Sequence, residues 1–386
     1  MSENGALPHP INVLEVLGNA IVGGMENYVS NLLTRLPPEE FNVTVLVPFE
    51  SPVTARLREW GYEVHVTAMG DDPPWRSIQT AVSLVREYDI HLIHAHLPVA
   101  HVVGAIAGCL ARRPVVTTLH SMSLTAHELG IYHTAGGHLI LVCQHAYNEA
   151  RSLGVAAHDL TLIHNGVDTS RFTPKKDGTA FRREAGIPAG APLAGFVGRL
   201  SPEKGPDLFV RAAHFAAQRH PSAHFVLVGT GPMEGELHGM IAKLGMAERI
   251  HLAGLWDDVS PVFPAFDLLA QTSRLEGTPL ALLEGMAAGR PTVALGVGGV
   301  VEIVEVGTTG LLYSADDWEG VGWGMLELLN DPERARRMGQ AARKRVQAHY
   351  TVDCSAERTM TLFRRLVAHN RYHRLSLPDG VPQPHV

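Results

Sequence analysis

The chain has 386 residues, of which 45% are hydrophobic and 18% charged, and its formal net charge is −7. This length allows two ordinary domains, and the composition excludes disordered and low-complexity proteins. No apolar run reaches the roughly 18 residues of a membrane span, and the N-terminus lacks the basic-then-apolar order of a signal peptide, so we expect a cytoplasmic protein.

Charge is unevenly distributed along the chain. Residues 1–170 hold sixteen acidic groups and eight arginines but no lysine, a net charge of −8. That balance argues against a nucleic-acid-binding or anionic-membrane-binding N-terminal half. The segment 331–374 instead holds eleven Lys and Arg residues and four acids. A solvated helix face is the favoured interpretation of this segment, and a face in contact with the inner side of a membrane is the alternative.

The first predicted element is a short apolar strand over Ile11–Leu17, followed by a Gly-containing turn and a helix. In the helix, apolar residues recur at the i, i+3, i+4, i+7 spacing from Met25 to Leu36. Six further strands alternate with helix-like stretches, near 43–47, 63–67, 91–94, 115–119, 139–142 and 160–163. This alternation predicts a parallel sheet covered by helices on both faces, as in a Rossmann-like domain.

A second series of elements follows a segment rich in Gly, Pro, Asp and Lys over residues 164–190, where we place the domain junction. Its strands are predicted at 193–197, 224–228, 249–253, 267–270, 292–295 and 310–313. The second half is therefore another Rossmann-like domain. From Pro332 to about Tyr372 the pattern indicates two helices and no strand. The predicted domains are residues 1–185 and 186–349, and the last helix covers about 350–372.

The stretch 273–284 brings a loop glutamate, a helix start and a helix glutamate close together in sequence. Thr278 suits the N-cap and Pro279 suits the first helical position. A helix start has unpaired N–H groups and a partial positive charge, so it can hold an anion such as a diphosphate. Glu276 and Glu284 would then grip hydroxyl groups on either side. The alternative for Glu284 is a purely structural hydrogen-bonding role.

Two cations lie upstream, in the loop after the strand at 193–197. Arg199 offers a planar fork of donors and Lys204 a compact charge, so together they could neutralise a diphosphate from two directions. On spacing alone, ordinary surface charges in a loop are the favoured alternative.

The first half has its own unusual residues at strand ends. Gly23 and Gly24 permit close approach of the backbone to a ligand, or serve only as a tight turn. His120 either contacts a bound polar group or is structural. His94 and His96 are a histidine pair, but no Cys or carboxylate lies nearby at ligand spacing, so we predict no metal and no cofactor.

The sequence also excludes two common enzyme classes. It has no GxxxxGK[ST] loop and no GxSxG segment, which argues against a P-loop ATPase and an α/β-hydrolase. Gly229-Thr230-Gly231 matches half of a dinucleotide fingerprint, which is weak support for hydride chemistry.

Taken together, these segments resemble the retaining glycosyltransferases of the GT-B fold usually called family 4. The strongest part of the resemblance is a pair of glutamates spaced E-x(7)-E with an arginine and a lysine upstream. The matching segments are 23–26, 93–96, 117–120, 165–168, 198–205 and 276–284, so the resemblance covers nearly the whole chain. It favours ligand-binding roles for Arg199 and Lys204 over plain surface charge.

The resemblance implies two Rossmann-like domains facing across a cleft, with the last helix returning to the first domain. Arg199 and Lys204 would hold the diphosphate of a nucleotide-sugar, Glu284 its ribose and Glu276 its sugar. His120 would lie near the donor sugar. The other implied donor-binding residues are Gly23, Gly24, Gly198, Leu255, Gly277, Thr278, Pro279 and Leu280, while His94 and His96 would face the acceptor.

The implied function is a retaining, metal-independent transfer of a hexosyl group from a UDP- or GDP-sugar, in surface polysaccharide or glycoconjugate biosynthesis. The acceptor would be a glycan, a lipid-linked molecule or a small molecule. No nucleic acid is expected, and membrane contact is at most peripheral. Two alternatives are a GT-B nucleotide-sugar epimerase and a noncatalytic nucleotide-sugar-binding protein.

Overall fold

The structure is a computed structural model that describes residues 7–21, 23–70 and 74–369. The chain divides into two compact units. Unit 1 comprises the chain up to Val142, Ala146–Ile163 and the segment from Ser355, and unit 2 comprises Cys143–His145 and His164–Cys354. The main division, between Ile163 and His164, lies earlier in the chain than the predicted boundary at residue 185.

Unit 1 contains a seven-stranded sheet in the order β3-β2-β1-β4-β5-β6-β7. All neighbouring strands are parallel. The strands are β1 (Ile11–Leu17), β2 (Phe41–Val47), β3 (Glu63–Val66), β4 (Leu92–His96), β5 (Val115–Leu119), β6 (His138–Leu141) and β7 (Leu160–Leu162). The helices between them are α1 (Gly24–Leu33), α2 (Pro52–Glu59), α3 (Trp75–Glu87), α4 (Pro98–Ala111), α5 (Ala126–Ala135) and α6 (Gln144–Ser152).

Unit 2 contains a six-stranded parallel sheet in the order β10-β9-β8-β11-β12-β13. The strands are β8 (Leu193–Val197), β9 (His224–Val228), β10 (Ile250–Leu252), β11 (Leu268–Gln271), β12 (Thr292–Leu295) and β13 (Gly310–Tyr313). Its helices are α7 (Thr179–Glu184), α8 (Pro206–Ala217), α9 (Glu234–Lys243), α10 (Leu280–Ala287), α11 (Val300–Ile303), α12 (Trp318–Asn330) and α13 (Pro332–His349).

Each predicted strand is present, and the predicted α/β class of two Rossmann-like sheets is confirmed. Strands buried on both faces are short continuous apolar runs, and β8 is an example, since all five of its residues are buried and none has a polar side chain. Six strands, namely β1, β5, β8, β9, β12 and β13, have the predicted bounds.

The strand order reverses between β1 and β4 in unit 1, and between β8 and β11 in unit 2. At such a switch point the connecting loops leave in opposite directions, so a crevice opens beyond the carboxyl ends of the two strands. The loops after β1, β4, β8 and β11 are therefore the expected ligand-binding positions in the two units.

The last helix, α14 (Val352–Ala368), packs against unit 1, as the resemblance implies. Phe363 is fully buried, and its ring centroid lies 6.4 Å from that of Phe41. Arg364 donates to both carboxylate oxygens of Glu40, at 2.6 and 2.9 Å. Burial of an aromatic ring and a bidentate ion pair together hold this helix on the first sheet.

The basic segment 331–374 is described as far as residue 369, and two of its arginines bind the backbone of unit 2. Arg343 donates to the carbonyl oxygens of Phe172, at 3.0 Å, and of Ala287. Arg345 donates to the carbonyl oxygens of Ile303, at 2.6 Å, and of Glu302, at 2.9 Å. These two arginines are structural rather than part of a solvated helix face. None of the described helices is long and apolar enough to cross a membrane.

We predict that Phe363→Ala destabilises unit 1 by about 3–5 kcal/mol, because the substitution removes a fully buried ring and leaves a cavity. Chemical denaturation followed by circular dichroism measures the change. Arg358→Ala, at an exposed position of the same helix, is the matched control. Equal unfolding midpoints for the two variants would show that α14 is not anchored through Phe363.

Candidate active site

The loop between β8 and α8 carries the two predicted cations of unit 2. Arg199 is exposed, and its guanidinium forms no ion pair with the described residues. Lys204 is partly buried, and its Nζ lies 2.8 Å from Oε1 of Glu276. The structure therefore brings Lys204 and Glu276 together across 72 residues of sequence.

Glu276 lies in the loop after β11, with an exposed fraction of only 5%. Its Oε1 accepts hydrogen bonds from Lys204 Nζ at 2.8 Å, Gln271 Nε2 at 2.8 Å and Ser273 Oγ at 2.7 Å. Three donors on one oxygen offset the cost of burying the carboxylate and hold it in one orientation. Gln271 and Ser273 were not predicted, although both lie within five residues of Glu276.

Arg274 joins the two loops, and the sequence analysis did not assign it a role. Its guanidinium binds both carboxylate oxygens of Asp207, at 2.9 and 2.7 Å, and the carbonyl oxygen of Pro202 at 2.9 Å. The backbone N–H groups of Arg274 and Leu275 both donate to the carbonyl oxygen of Glu203, at 2.9 and 3.2 Å. The loops after β8 and β11 therefore form one rigid assembly.

Gly205 explains how closely these loops approach. Its φ is +62°, and a Cβ there would lie 2.1 Å from the carbonyl oxygen of Thr272. The Thr272 hydroxyl in turn donates to the carbonyl oxygen of Gly205 at 2.8 Å. Only glycine meets both demands at this position.

The start of α10 lies one residue later than predicted. Leu280 is its first residue and Pro279 its N-cap, so Thr278 precedes the cap. A proline side chain has no acceptor, so it leaves the first-turn N–H groups available for an anion. Asn165 Nδ2 donates to the carbonyl oxygen of Thr278 at 3.3 Å and fixes the approach to the helix.

A glycine-rich loop packs against the same segment. The backbone N–H of Gly299 donates to the carbonyl oxygen of Glu276 at 3.2 Å. A Cβ on Gly299 would lie 1.9 Å from the carbonyl oxygen of Gly277, so a larger residue would displace the loop. Close contact with Gly299 therefore fixes the backbone of Glu276 and Gly277.

Glu284, on the second turn of α10, has a different environment from Glu276. It is partly buried, and its carboxylate forms no hydrogen bond or ion pair with the described part of the chain. Burial raises its pKa to about 7, against the opposing effect of Arg171 and with a further increase from Asp258. The side chain is therefore an unsatisfied acceptor, suited to hydroxyl groups of a ligand.

The loop after β10 contains Leu255, the residue predicted beside the base. Leu255 is 73% exposed. Gly254, just before it, accepts a hydrogen bond from the backbone N–H of Gly229 at 2.8 Å, which joins this loop to the end of β9. Gly198 lies at the adjacent strand end, and its N–H donates to the carbonyl oxygen of Val228 at 3.0 Å. The predicted donor-binding positions in unit 2 therefore all lie beyond the carboxyl ends of its strands.

In unit 1, Gly23 is the N-cap of α1 and Gly24 its first residue. Glu26, in the first turn, is buried, and burial raises its pKa. Within the described residues its Oε1 has no hydrogen-bond partner. The burial of Glu26 depends on the tertiary packing of α1, so the sequence alone does not single out this residue.

The histidines of unit 1 surround a carboxylate that the sequence analysis did not consider. Glu15, in β1, lies in register with His94 of the neighbouring strand β4. Its Oε1 lies 3.0 Å from His94 Nδ1, and its Oε2 lies 2.9 Å from His96 Nε2. All three side chains are fully buried. The argument that no carboxylate lies near the two histidines is therefore wrong, because strand pairing supplies one from 79 residues away.

These three groups have ligand atoms within 4.8 Å of one another, a spacing compatible with a metal ion as well as with direct hydrogen bonds. Direct hydrogen bonds already satisfy the carboxylate. Although burial alone would raise the pKa of Glu15, the two histidines lower it to about 2. Burial and the neighbouring His94 lower the pKa of His96 to about 4.

His120 follows β5 and completes this group. Its Nε2 lies 3.1 Å from His96 Nδ1, and the two rings stack with centroids 5.4 Å apart. Burial and the adjacent histidines lower the pKa of His120 well below its ordinary value. His120 is therefore a neutral, oriented side chain at a strand end near the switch point.

Two parallel sheets of this topology, each with polar groups at its switch point, are typical of the GT-B class of α/β proteins. Two family models match the chain: Glycosyltransferase Family 4 over residues 22–171 and Glycosyl transferases group 1 over residues 177–345. The chain belongs to this family of glycosyltransferases, which is a family of transferase enzymes.

Two relatives support the assignment. The chain is 30% identical over 288 residues to the GDP-mannose-dependent alpha-(1-6)-phosphatidylinositol monomannoside mannosyltransferase of Mycolicibacterium smegmatis, covering 70% of this chain and 74% of the relative. It is 32% identical over 295 residues to the D-inositol 3-phosphate glycosyltransferase of Nocardia farcinica, covering 68% of this chain and 64% of that relative.

Solved structures agree on the fold. The structure of Anabaena Alr3699/HepE in complex with UDP superposes with a TM-score of 0.82 at 24% identity, covering 92% of this chain and all of that one. The sucrose-phosphate synthase of Thermosynechococcus elongatus gives a TM-score of 0.78 at 22% identity, covering 92% of this chain and 99% of that one.

We predict that Glu284→Gln raises the thermal unfolding midpoint of the ligand-free protein at pH 8 but not at pH 4. The folded pKa of about 7 exceeds the ordinary value of 4.5, so the wild type loses stability as the pH rises through this range. Because glutamine carries no charge, the variant does not lose stability as the pH rises. Thermal melts at the two pH values measure the effect.

The matched control for this substitution is Glu236→Gln, at an exposed position of α9. We expect its unfolding midpoint to follow that of the wild type at both pH values. If Glu284→Gln also followed the wild type, Glu284 would not be an uncompensated carboxylate.

Proposed function

We propose that the protein is a retaining, metal-independent glycosyltransferase that moves a hexosyl group from a UDP- or GDP-sugar to an acceptor hydroxyl. The observation that carries this proposal is the assembly of Arg199, Lys204, Glu276 and the start of α10 around the switch point of unit 2. Cations and helix N–H groups at one place suit a diphosphate, and the adjacent carboxylate suits a sugar.

Stabilisation of the departing diphosphate is the main catalytic effect in this proposal. Negative charge develops on the phosphate as the bond to the sugar breaks, and preorganised donors stabilise that charge. Arg199 is exposed and forms no close ion pair with the described residues, and its charge acts on the neighbouring Glu203, so it can turn to the ligand without breaking a direct contact. The first-turn N–H groups of α10 add fixed positive dipoles.

Lys204 and Glu276 form an ion pair in the ligand-free protein, at 2.8 Å. We propose that the donor enters beside this pair, with its phosphate taking the lysine and a sugar hydroxyl donating to the carboxylate. Gln271 and Ser273 keep Glu276 in place as the lysine shifts. In the ligand-free protein, the ammonium of Lys204 and the carboxylate of Glu276 therefore neutralise each other until the donor binds.

Glu284 is assigned to the ribose of the donor. Its carboxylate accepts no hydrogen bond from the described residues, and ribose offers two adjacent hydroxyl donors. Ligand hydroxyl groups would offset the desolvation that raises its pKa. Nucleotide binding should therefore weaken as the pH falls below about 7, where the side chain becomes protonated.

Retention of the anomeric configuration is part of the proposal because the family resemblance favours it. The donor phosphate would itself take the proton of the acceptor hydroxyl, with attack on the face from which it departs. His120 would contact the donor sugar. The resemblance places His94 and His96 on the acceptor side, but both side chains are fully buried and bind Glu15, so we do not propose them as acceptor contacts.

The proposed physiological setting rests on the activities for which relatives of the chain are named. These include a phosphatidylinositol monomannoside mannosyltransferase and a lipopolysaccharide core biosynthesis mannosyltransferase. We propose a glycan, lipid-linked or small-molecule acceptor, in surface polysaccharide or glycoconjugate synthesis. A cytoplasmic location, or one at the inner face of the membrane, fits donors of this kind.

A thermal-shift screen of UDP- and GDP-sugars, followed by acceptor screening with the stabilising donor, tests the function. We expect one donor to raise the unfolding midpoint and to yield a glycosylated product whose anomeric configuration, read by NMR, matches the donor. Interconversion of the donor sugar without acceptor would instead identify an epimerase. Donor binding without any turnover would identify a noncatalytic binding protein.

We predict that Lys204→Ala lowers kcat by about 10²–10³-fold, because it removes one preorganised cation from the leaving group. Steady-state kinetics with the preferred donor measure the loss. Lys243→Ala, at an exposed position of α9, is the control and should retain wild-type turnover. Unchanged kcat in Lys204→Ala would refute the assignment of this lysine to the diphosphate.

We predict that turnover persists in EDTA, since protein cations and helix N–H groups supply the positive charge that a divalent ion would otherwise bring. The experiment compares the initial rate of glycosyl transfer before and after addition of the chelator. A sample from which the chelator has been removed again is the control. Loss of activity that Mn²⁺ restores would show that the diphosphate is held by a metal.

A further inference from the structure

A line of hydrogen bonds in unit 1 connects a buried carboxylate to a histidine at a strand end. Glu15 Oε2 lies 2.9 Å from His96 Nε2, and His96 Nδ1 lies 3.1 Å from His120 Nε2. Glu15 and His96 are fully buried. The ring of Tyr28 packs edge-on against His120, with centroids 5.0 Å apart, so the last ring is held on two sides.

The chemistry of each group fixes the direction of these hydrogen bonds. Glu15 is ionised at neutral pH, since its pKa is about 2, and an ionised carboxylate only accepts. His96 Nε2 therefore carries the proton. Because the pKa of His96 is about 4, the ring is neutral and its Nδ1 is an acceptor.

The donor and acceptor roles of the ring nitrogens can also be assigned for His120, the last residue of the line. His96 Nδ1 accepts, so His120 Nε2 must donate. A neutral His120 then has a lone pair on Nδ1. Within the described part of the chain, no hydrogen bond reaches that atom.

We propose that Glu15 and His96 hold His120 in the Nε2–H tautomer, so that His120 Nδ1 accepts a hydrogen bond from a hydroxyl group of the bound donor sugar. Glu15 and His96 are positioning residues, because they act through His120 and do not touch the sugar. This inference rests on the proposed function, in which His120 contacts that sugar.

A side branch of the same cluster provides a control. Glu15 Oε1 pairs with His94 Nδ1 at 3.0 Å, and His94 Nε2 lies 2.8 Å from the hydroxyl of Thr118. Thr118 is fully buried in β5, where its hydroxyl also interacts with that of Tyr28. Thr118→Val perturbs the same core but leaves the line from Glu15 to His120 intact.

The direct test is NMR of the full chain labelled with ¹⁵N-histidine, recorded at pH 8. Long-range ¹H–¹⁵N correlations distinguish the two tautomers, and the difference spectrum of His120→Asn identifies the His120 signals among 22 histidines. We expect the Nε2–H tautomer in the wild type and in Thr118→Val. In Glu15→Gln the glutamine amide can donate to His96, so we expect the Nδ1–H tautomer of His120 to appear.

Binding and kinetics supply the second test. One lost hydrogen bond to the sugar corresponds to about a tenfold decrease in kcat/KM for the donor in Glu15→Gln. Affinity for the free nucleoside diphosphate should stay at the wild-type value, because it lacks the transferred sugar that His120 would contact. Thr118→Val should match the wild type in both measurements.

The outcomes separate this inference from the proposed function. An Nδ1–H tautomer of His120 in the wild type would overturn the inference, as would an equal loss of affinity for the nucleoside diphosphate and for the donor in Glu15→Gln. A stoichiometric metal ion in the purified protein, lost in Glu15→Gln, would also overturn it. Absence of any glycosyl transfer would refute the proposed function, while the NMR result would still report the tautomer.

Discussion

The ion pair between Arg274 and Asp207 is the interaction on which the donor side of unit 2 depends. It ties the loop after β11 to the start of α8, while backbone hydrogen bonds to Glu203 fix the register of the two loops. Between these two loops, Lys204 Nζ lies 2.8 Å from Glu276 Oε1. A binding site for a charged ligand needs donors held in place beforehand, and this pair provides that rigidity without using the groups that face the ligand.

Three buried or partly buried carboxylates show how the same chemical group acquires different roles. Glu15 is fully buried but accepts from two histidines, so it stays ionised and acts as an internal anchor. Glu276 is satisfied by a lysine, an amide and a hydroxyl that a ligand can partly replace. Glu284 has no such partners among the described residues, and burial raises its pKa to about 7. The partners of a carboxylate, rather than its burial, distinguish anchor from ligand-binding group.

Much of the donor side could be predicted from the sequence because its residues occur in local motifs. Arg199 and Lys204 are five residues apart, and Glu276 and Glu284 are eight apart, so a strand end and a helix start place each pair. The unit 1 network could not be predicted in this way. Glu15 looks like one polar residue in an apolar strand, and only the parallel register of β1 with β4 sets it beside His94. Arg274 and Asp207 were missed for the same reason, since 67 residues separate them.

The sequence by itself determined the strands, the two Rossmann-like sheets and the family, because hydrophobic periodicity and short motifs depend on neighbouring residues. It also identified the glutamates and cations of unit 2 as candidates. Only the tertiary structure decided which charges pair, which histidine nitrogen carries a proton and which carboxylate is left without a partner. Those properties depend on distances between chain segments and on exclusion of water, and neither is encoded in the spacing of residues along the chain.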